Sequence, residues 1–175
     1  MILPDLLETQ NLILKKASIM FAESAHKNIF VFEECAKHML WRVSKTLEET
    51  TSKIDKWCDL FKDGLAYFIF EKDGNPLNVC GFIFALKTNN EISDIGLCFG
   101  KDYFGKGYGK QVMQLLITQL QNKGITRIEY SCFSNNIGSN KLAKSLGFRY
   151  YKTQDRFVNK LNKYVPENFY DIMFK

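Results

Sequence analysis

Apolar positions in this chain alternate in short runs, then shift to helical spacing, and the changes of period divide it into elements. Residues 9–16 alternate around Leu12 and Leu14 and predict a first strand. Residues 18–45 are less regular, with His26, Phe30, Phe32, Cys35, Met39 and Trp41 suggesting two short helices and a kink. Thr46 followed three positions later by Glu49 is a capping box. It starts a helix that carries Ile54, Trp57, Leu60 and Phe61 on one face and ends at Gly64. Strands are expected at 67–70 and 79–86, with the turn Asp73-Gly74-Asn75-Pro76 between them, and at 92–99. Val112, Leu115, Leu116 and Leu120 then fall at helical spacing up to Gly124. Ile128, Tyr130 and Cys132 mark another strand, Asn136 to Gly147 a short helix, and 148–152 and 169–174 the last strands. Strands first antiparallel, followed by a strand–helix–strand–helix half, describe an α/β (α+β) mixed sheet in a single domain spanning residues 1–175.

Between the strand at 92–99 and the long helix lies Gly105-Lys106-Gly107-Tyr108-Gly109-Lys110. Three alternate glycines let backbone N–H groups approach a ligand closely. A helix N-terminus directly after such a loop is an anion site, because unpaired donors and the positive end of the helix dipole coincide. Lys101, Lys106 and Lys110 add charge there. A plain connecting turn is the alternative. The Walker pattern fails, since Phe104 stands where its first glycine belongs and Gln111 follows Gly109-Lys110. The dinucleotide pattern fails because Lys110 stands at the third glycine.

Phe104-Gly105-Lys106-Gly107-Tyr108-Gly109 resembles the acyl-CoA loop of the GNAT N-acetyltransferases, usually Gln/Arg-x-x-Gly-x-Gly/Ala. The aromatic first residue is similar to the branch that acetylates ribosomal-protein N-termini. Asn136-x-x-Ser139 with Leu142 and Leu146-Gly147-Phe148 resembles the family's closing helix and its exit strand. Residues 8–14 resemble its opening strand, and Met39-Leu40-Trp41 with 46–49 its acceptor-side helices. The resemblance covers roughly residues 8–155. It implies a largely antiparallel sheet of six to seven strands flanked by about four helices. It also implies acetyl-CoA as co-substrate without a metal, and transfer to a primary amine by direct attack in a ternary complex.

By that resemblance, backbone groups of Leu97, Cys98 and Phe99 bond the pantetheine amides. The N–H groups from Gly105 through Lys110 take the pyrophosphate, and Asn136 faces the cofactor from the other wall. Lys141 or Lys144 can meet the adenosine 3′-phosphate. Asp94 stands in Asp-Ile-Gly where relatives commonly have Glu-Ile-Gly, and a carboxylate there can attract the acceptor's ammonium and take its proton. Glu91, an odd number of positions away, is expected on the opposite strand face. The family's usual tyrosine acid falls at Ala143, which leaves Ser139 or a water for that role.

Composition narrows the field. Hydrophobic residues make up 46% and aromatics 14%, the profile of a globular protein. The net charge of +5 is modest, no basic run exceeds two residues, and nucleic acid is not an expected partner. No apolar run is long enough for a membrane span, and the first residues carry acids where a signal peptide carries lysines, so the cytoplasm is expected. Five scattered cysteines without a C-x-x-C pair indicate reduced thiols rather than disulfides or zinc. His26 and His38 are the only histidines; each is either a general base or a packing residue. Three rivals remain: an acyltransferase using Cys132 as nucleophile, which needs a histidine partner; a catalytically weak or inactive CoA-binding sensor; and an interaction domain without cofactor. The acceptor stays open among a peptide α-amine, a polyamine, an aminoglycoside and a small amine, as does the choice of monomer or homodimer.

Overall fold

Alternating hydrophobicity resolves into eight strands of one sheet in the computed structural model, which describes residues 3–61 and 65–174. They are β1 (Leu6–Glu8), β2 (Leu12–Lys16), β3 (Ala66–Glu71), β4 (Gly81–Thr88), β5 (Glu91–Phe99), β6 (Arg127–Phe133), β7 (Arg149–Val158) and β8 (Lys163–Met173). Their spatial order is β1-β2-β3-β4-β5-β6-β8-β7, and every pairing is antiparallel except β5 with β6. The upper figure of the expected six to seven is one short. The missing strand is β1, whose three residues are too few to show a period. The last hairpin also runs further than expected, because β7 exposes most of its length and so lacks an alternating signature.

The helices are α1 (Ala22–Ala25), α2 (Glu33–Ala36), α3 (Leu47–Leu60), α4 (Tyr108–Asn122) and α5 (Ile137–Ser145). A 3₁₀ turn at Ile19–Phe21 and a π turn at His26–Phe30 flank α1. Met39, Leu40 and Trp41 lie in bends rather than in a helix, contrary to the expectation for 18–45. The capping box holds: Thr46 Oγ1 accepts from Glu49 N at 3.3 Å, and Glu49 Oε2 accepts from Lys45 N at 2.8 Å. The end of α3 at Gly64 lies outside the described residues, and no described helix is long and apolar enough to cross a membrane.

Each sheet face buries its own core. One face packs α4 and α5 over Leu12, Leu14, Ile83, Ile95 and Ile128. The other packs the N-terminal helices through aromatic contacts, among them Phe30 stacked on Phe82 at 5.7 Å and Trp57 against Phe82 at 4.9 Å. The aromatic content is therefore concentrated on one side, where rings bury large areas per residue.

Two local features shape the region around the glycine loop and Asp94. Leu86 pairs with Asp94 and Lys87 with Ile92, so Ser93 is a bulge in β5. The extra residue inverts the parity that the sequence suggests. Ile92 and Ile95, three apart, enter the same core, and Glu91 shares the opposite face with Asp94 rather than standing across the sheet from it. The second feature is Asn140. Its Nδ2 donates to the carbonyls of Phe133 and Asn136 at 3.0 and 2.7 Å, and its Oδ1 accepts from Asn168 and from the buried Tyr170 hydroxyl at 2.8 and 2.6 Å. One side chain thus ties α5 to β6 and β8. Asn140→Ala should cost about 2–3 kcal/mol, because buried partners lose their bonds. A melting temperature lower by roughly 4–12 °C is the expected result of thermal unfolding.

Candidate active site

Strands β5 and β6 run parallel but pair only at Glu91–Arg127 and Ile92–Ile128. Beyond Ile92 they separate, and the β5 edge facing β6 has no strand partner among the described residues. Unpaired backbone groups at a sheet edge readily bond an extended ligand. Gly96 sits in this opened segment, and a Cβ there would stand 2.1 Å from the Phe84 ring, so only glycine lets that ring lie across the strand.

At the far end of β5 the chain enters the glycine loop. Gly105 and Gly107 take φ of +77° and +76°, the left-handed region that glycine tolerates. A Cβ at either would meet nothing within 4 Å, so the space above both is open to a ligand. Gly107 caps α4 without a side-chain hydrogen bond. The N–H groups of residues 105–109 have no backbone acceptor among the described residues, whereas Lys110 N already donates to Gly107 O at 3.2 Å. Four or five free donors at a helix N-terminus fit a pyrophosphate. Gln111 anchors this end of α4, accepting from Thr9 Oγ1 at 2.9 Å and donating to Asn11 Oδ1 at 3.1 Å. The loop lysines are less available than the sequence suggests. Lys106 pairs with Glu71 at 3.0 Å, and Lys101 lies over the Phe32 ring at 4.2 Å. The Tyr108 hydroxyl also donates to Glu71, at 2.5 Å, which holds that carboxyl below its usual range and pushes the phenol up to about 12.

Two cavities meet between the splayed strands. The first, about 600 Å³, runs under the loop and is lined by Leu97, Cys98, Phe99, Phe104, Gly105, Gly107, Tyr108 and Gly109. The second, about 470 Å³, opens toward α3 and holds Asp94, Ser131, Arg156 and Glu167. His38, Met39, Leu97, Tyr130, Asn136 and Ser139 belong to both walls. Asn136 Oδ1 caps α5 by accepting from Ser139 N at 3.2 Å. The side chains of Lys106 and Lys110 line neither cavity. Trp57 and Phe61 pack on the aromatic core and also form wall of the second cavity, and Leu60 is 64% exposed at its mouth.

The electrostatics are uneven. Burial raises the Asp94 carboxyl above its ordinary range, Arg156 opposes that shift, and Glu167 adds to it. No side chain among the described residues hydrogen-bonds Asp94. His38 is held below the usual imidazole range by burial and by Lys37 and Lys160, so it is neutral at pH 7. His26, by contrast, bonds Thr50 Oγ1 through Nδ1 at 2.7 Å, a packing role. The Cys132 thiol is pushed up to about 12, mainly by burial, which leaves it protonated at neutral pH and a poor nucleophile.

Sequence reasoning missed Tyr130. It is buried on β6, and its hydroxyl lies 2.7 Å from Ser139 Oγ. Burial raises the phenol, so it stays protonated. Ala143, at the family's tyrosine position, is only 1% exposed, and the hydroxyl at this wall comes from β6 instead. The available signal was a tyrosine inside an apolar strand, which must find its hydroxyl a partner. Glu167 and Arg156 were missed because strand pairing alone brings them to the site.

The model of the acetyltransferase (GNAT) domain family matches residues 11–149. The chain belongs to the GNAT acetyltransferases. A GNAT acetyltransferase from Bacillus anthracis superposes with a TM-score of 0.81 at 19% identity, over 96% of this chain and 98% of that one. The acetyltransferase that modifies the N-terminal serine of ribosomal protein L7/L12 in Salmonella typhimurium gives 0.79 at 20%, over 95% and 97%. The microcin C7 self-immunity acetyltransferase MccE, in complex with acetyl-CoA and AMP, gives 0.83 at 20%, over 99% and 98%. At these identities the likeness establishes the fold. An uncharacterized protein of Methanocaldococcus jannaschii is 29% identical over 84 residues, which are 47% of this chain but 17% of that much longer protein. In this GNAT domain, Gly107→Val should weaken CoA binding at least tenfold by calorimetry. The branched side chain is strained at positive φ and fills the open approach. Normal affinity in the folded variant would make the loop a connector.

Proposed function

We propose that this GNAT domain transfers an acetyl group from acetyl-CoA to a primary amine, of a peptide N-terminus or a small molecule, by direct attack in a ternary complex. One observation carries the reading: the cavity under the glycine loop and the cavity holding Asp94 share a wall of six residues. Two substrates entering from opposite ends meet there. Similarity to proteins solved with acetyl-CoA or coenzyme A supports the choice of donor.

The fit of the donor rests on this chain's own groups. Residues 105–109 offer N–H donors to the pyrophosphate, and the unpaired edge of β5 at Leu97, Cys98 and Phe99 offers backbone partners to the pantetheine amides. Acetyl-CoA supplies an acyl group already activated as a thioester, with a thiol as leaving group. An alkyl ammonium has a pKa of about 10 and arrives unreactive. Asp94, poised above the ordinary carboxylate range and without a side-chain hydrogen-bond partner among the described residues, attracts that ammonium and takes its proton. Ser139, hydrogen-bonded to Tyr130, holds a hydroxyl at the shared wall that can donate a hydrogen bond to the departing thiolate, which leaves as the anion and takes its proton from water.

Asp94→Asn tests the base. Loss of a general base typically lowers rates by roughly 10²- to 10⁴-fold, and kcat/KM at neutral pH should fall within that range. The limb of the wild-type profile set by ionisation of Asp94 should be lost, leaving the rise that free amine brings as pH approaches about 10, while His38→Gln should retain that limb. Stability gives an independent sign. A carboxyl whose folded pKa is raised binds its proton more tightly in the folded state, so the fold loses stability as pH rises from the unfolded pKa through the folded one. Asp94→Asn removes that loss and should melt no lower than the wild type at pH 7. A purely structural Asp94 predicts a lower melting temperature and a pH-independent deficit.

A further inference from the structure

The second cavity has a charge balance and a surface that together select among amines. Glu167, on β8, is 5% exposed and tightly held. Ser131 Oγ donates to its Oε1 at 2.9 Å, and Arg156 Nη1 reaches Oε1 and Oε2 at 3.2 and 3.4 Å. Arg156 is thereby matched to one of the two carboxylates in the lining, which leaves Asp94 as the unmatched charge. Among the described residues, the only other titratable side chain along that wall able to carry charge near neutrality is His38, which is neutral at pH 7. The other arginines on this sheet face, from β6 and β7, are tied to carboxylates and line neither cavity, nor does Lys152, which is bonded to Gln154 Oε1 at 3.0 Å and lies over the Phe169 ring. Arg127 bonds Glu91, Glu129 and Asp171, and Arg149 bonds Asp171. One unmatched negative charge suits one ammonium.

Ser131, Asn136 and Ser139 add polar atoms at the end of the wall formed by β6 and α5, and the end toward α3 and β4 is apolar. Trp57, Phe61 and Phe84 form its floor, and Leu40, Leu60 and Leu86 stand exposed at its mouth. Exposed leucines around one opening mark a binding surface. Resting on the acetyl-transfer reading above, we infer that the acceptor is a primary monoamine with an apolar body, its ammonium beside Asp94 and its body against Trp57, Phe84 and the leucine rim. A polyamine would set its second ammonium against rings and leucines with no carboxylate to meet it. A free amino acid would bring its own carboxylate beside Asp94 and Glu167, and the guanidinium that might receive it is already engaged. A peptide would lay backbone amides on the end toward α3 and β4, which offers hydrocarbon and, of polar atoms, the buried and unpartnered Trp41 Nε1.

Initial rates with saturating acetyl-CoA test this on propylamine, butylamine, pentylamine, hexylamine and 2-phenylethylamine, against spermidine, free serine and a seryl tripeptide. Each added methylene should raise kcat/KM roughly fourfold until the cavity is filled, the factor that about 0.8 kcal/mol per buried CH₂ implies. Spermidine, serine and the tripeptide should each fall at least tenfold below hexylamine. A flat alkyl series, or preference for one of those three, overturns the monoamine assignment and leaves acetyl transfer standing. Failure to acetylate any of the eight, with CoA binding intact by calorimetry, overturns both. A variant gives a second check. Leu60→Lys changes an exposed residue and should fold, but it puts a cation at the apolar mouth. KM for 2-phenylethylamine should rise at least tenfold with CoA affinity and melting temperature held, and an unchanged KM contradicts the proposal.

Discussion

The separation of β5 from β6 after two residue pairs is the constraint on which the rest depends. A fully paired sheet would close the slot between the two cavities and satisfy the backbone of β5 internally. Because the strands diverge, α4 and the glycine loop stand at one end of the opening and the charged residues of β6, β7 and β8 at the other. The divergence is held from both sides. Arg127, beside the last paired position, bonds Glu91, Glu129 and Asp171, and Asn140 fastens α5 to β6 and β8. The opening is thus built into the fold before any ligand arrives, which lowers the ordering cost of binding.

The two ends work by different physics. The loop end offers dipoles: unpaired N–H groups on positive-φ glycines, with its lysine side chains turned aside to Glu71 and Phe32. Fixed dipoles hold a diffuse phosphate charge without the entropy loss of ordering long side chains. The other end offers one carboxylate, Asp94, that is unmatched among the described residues and faces an apolar mouth. Burial there raises Asp94 and strengthens its attraction for an ammonium, since both effects follow from the low local dielectric. Cys132, which might have supplied a covalent route, is held protonated by the same burial.

Much of this was legible in the chain before any coordinates. The glycine loop, the capping box at Thr46 and the helical stripe of α4 are local patterns, and local patterns survive folding. The family resemblance also rests on them. Non-local facts were hidden. The Ser93 bulge moved Glu91 to the face of Asp94, which strict alternation cannot express. Glu71 is a strand-end acid until the fold brings Lys106 and Tyr108 to it. Arg156 and Glu167 lie on strands whose exposed flanks erase the period-two signal. Tyr130 was visible only as a core residue, and its hydroxyl acquires meaning from Ser139. The bends at 37–46 carry no period at all, yet supply His38 and Met39 to the shared wall.

A meeting of two substrates across one shared wall has a direct kinetic signature. Initial rates measured against acetyl-CoA at several fixed concentrations of an accepted amine give double-reciprocal lines. Direct attack in a ternary complex predicts lines that intersect, with no acetyl group retained by the protein after incubation with acetyl-CoA alone. Parallel lines, together with an acetylated side chain recovered by mass spectrometry, would contradict it.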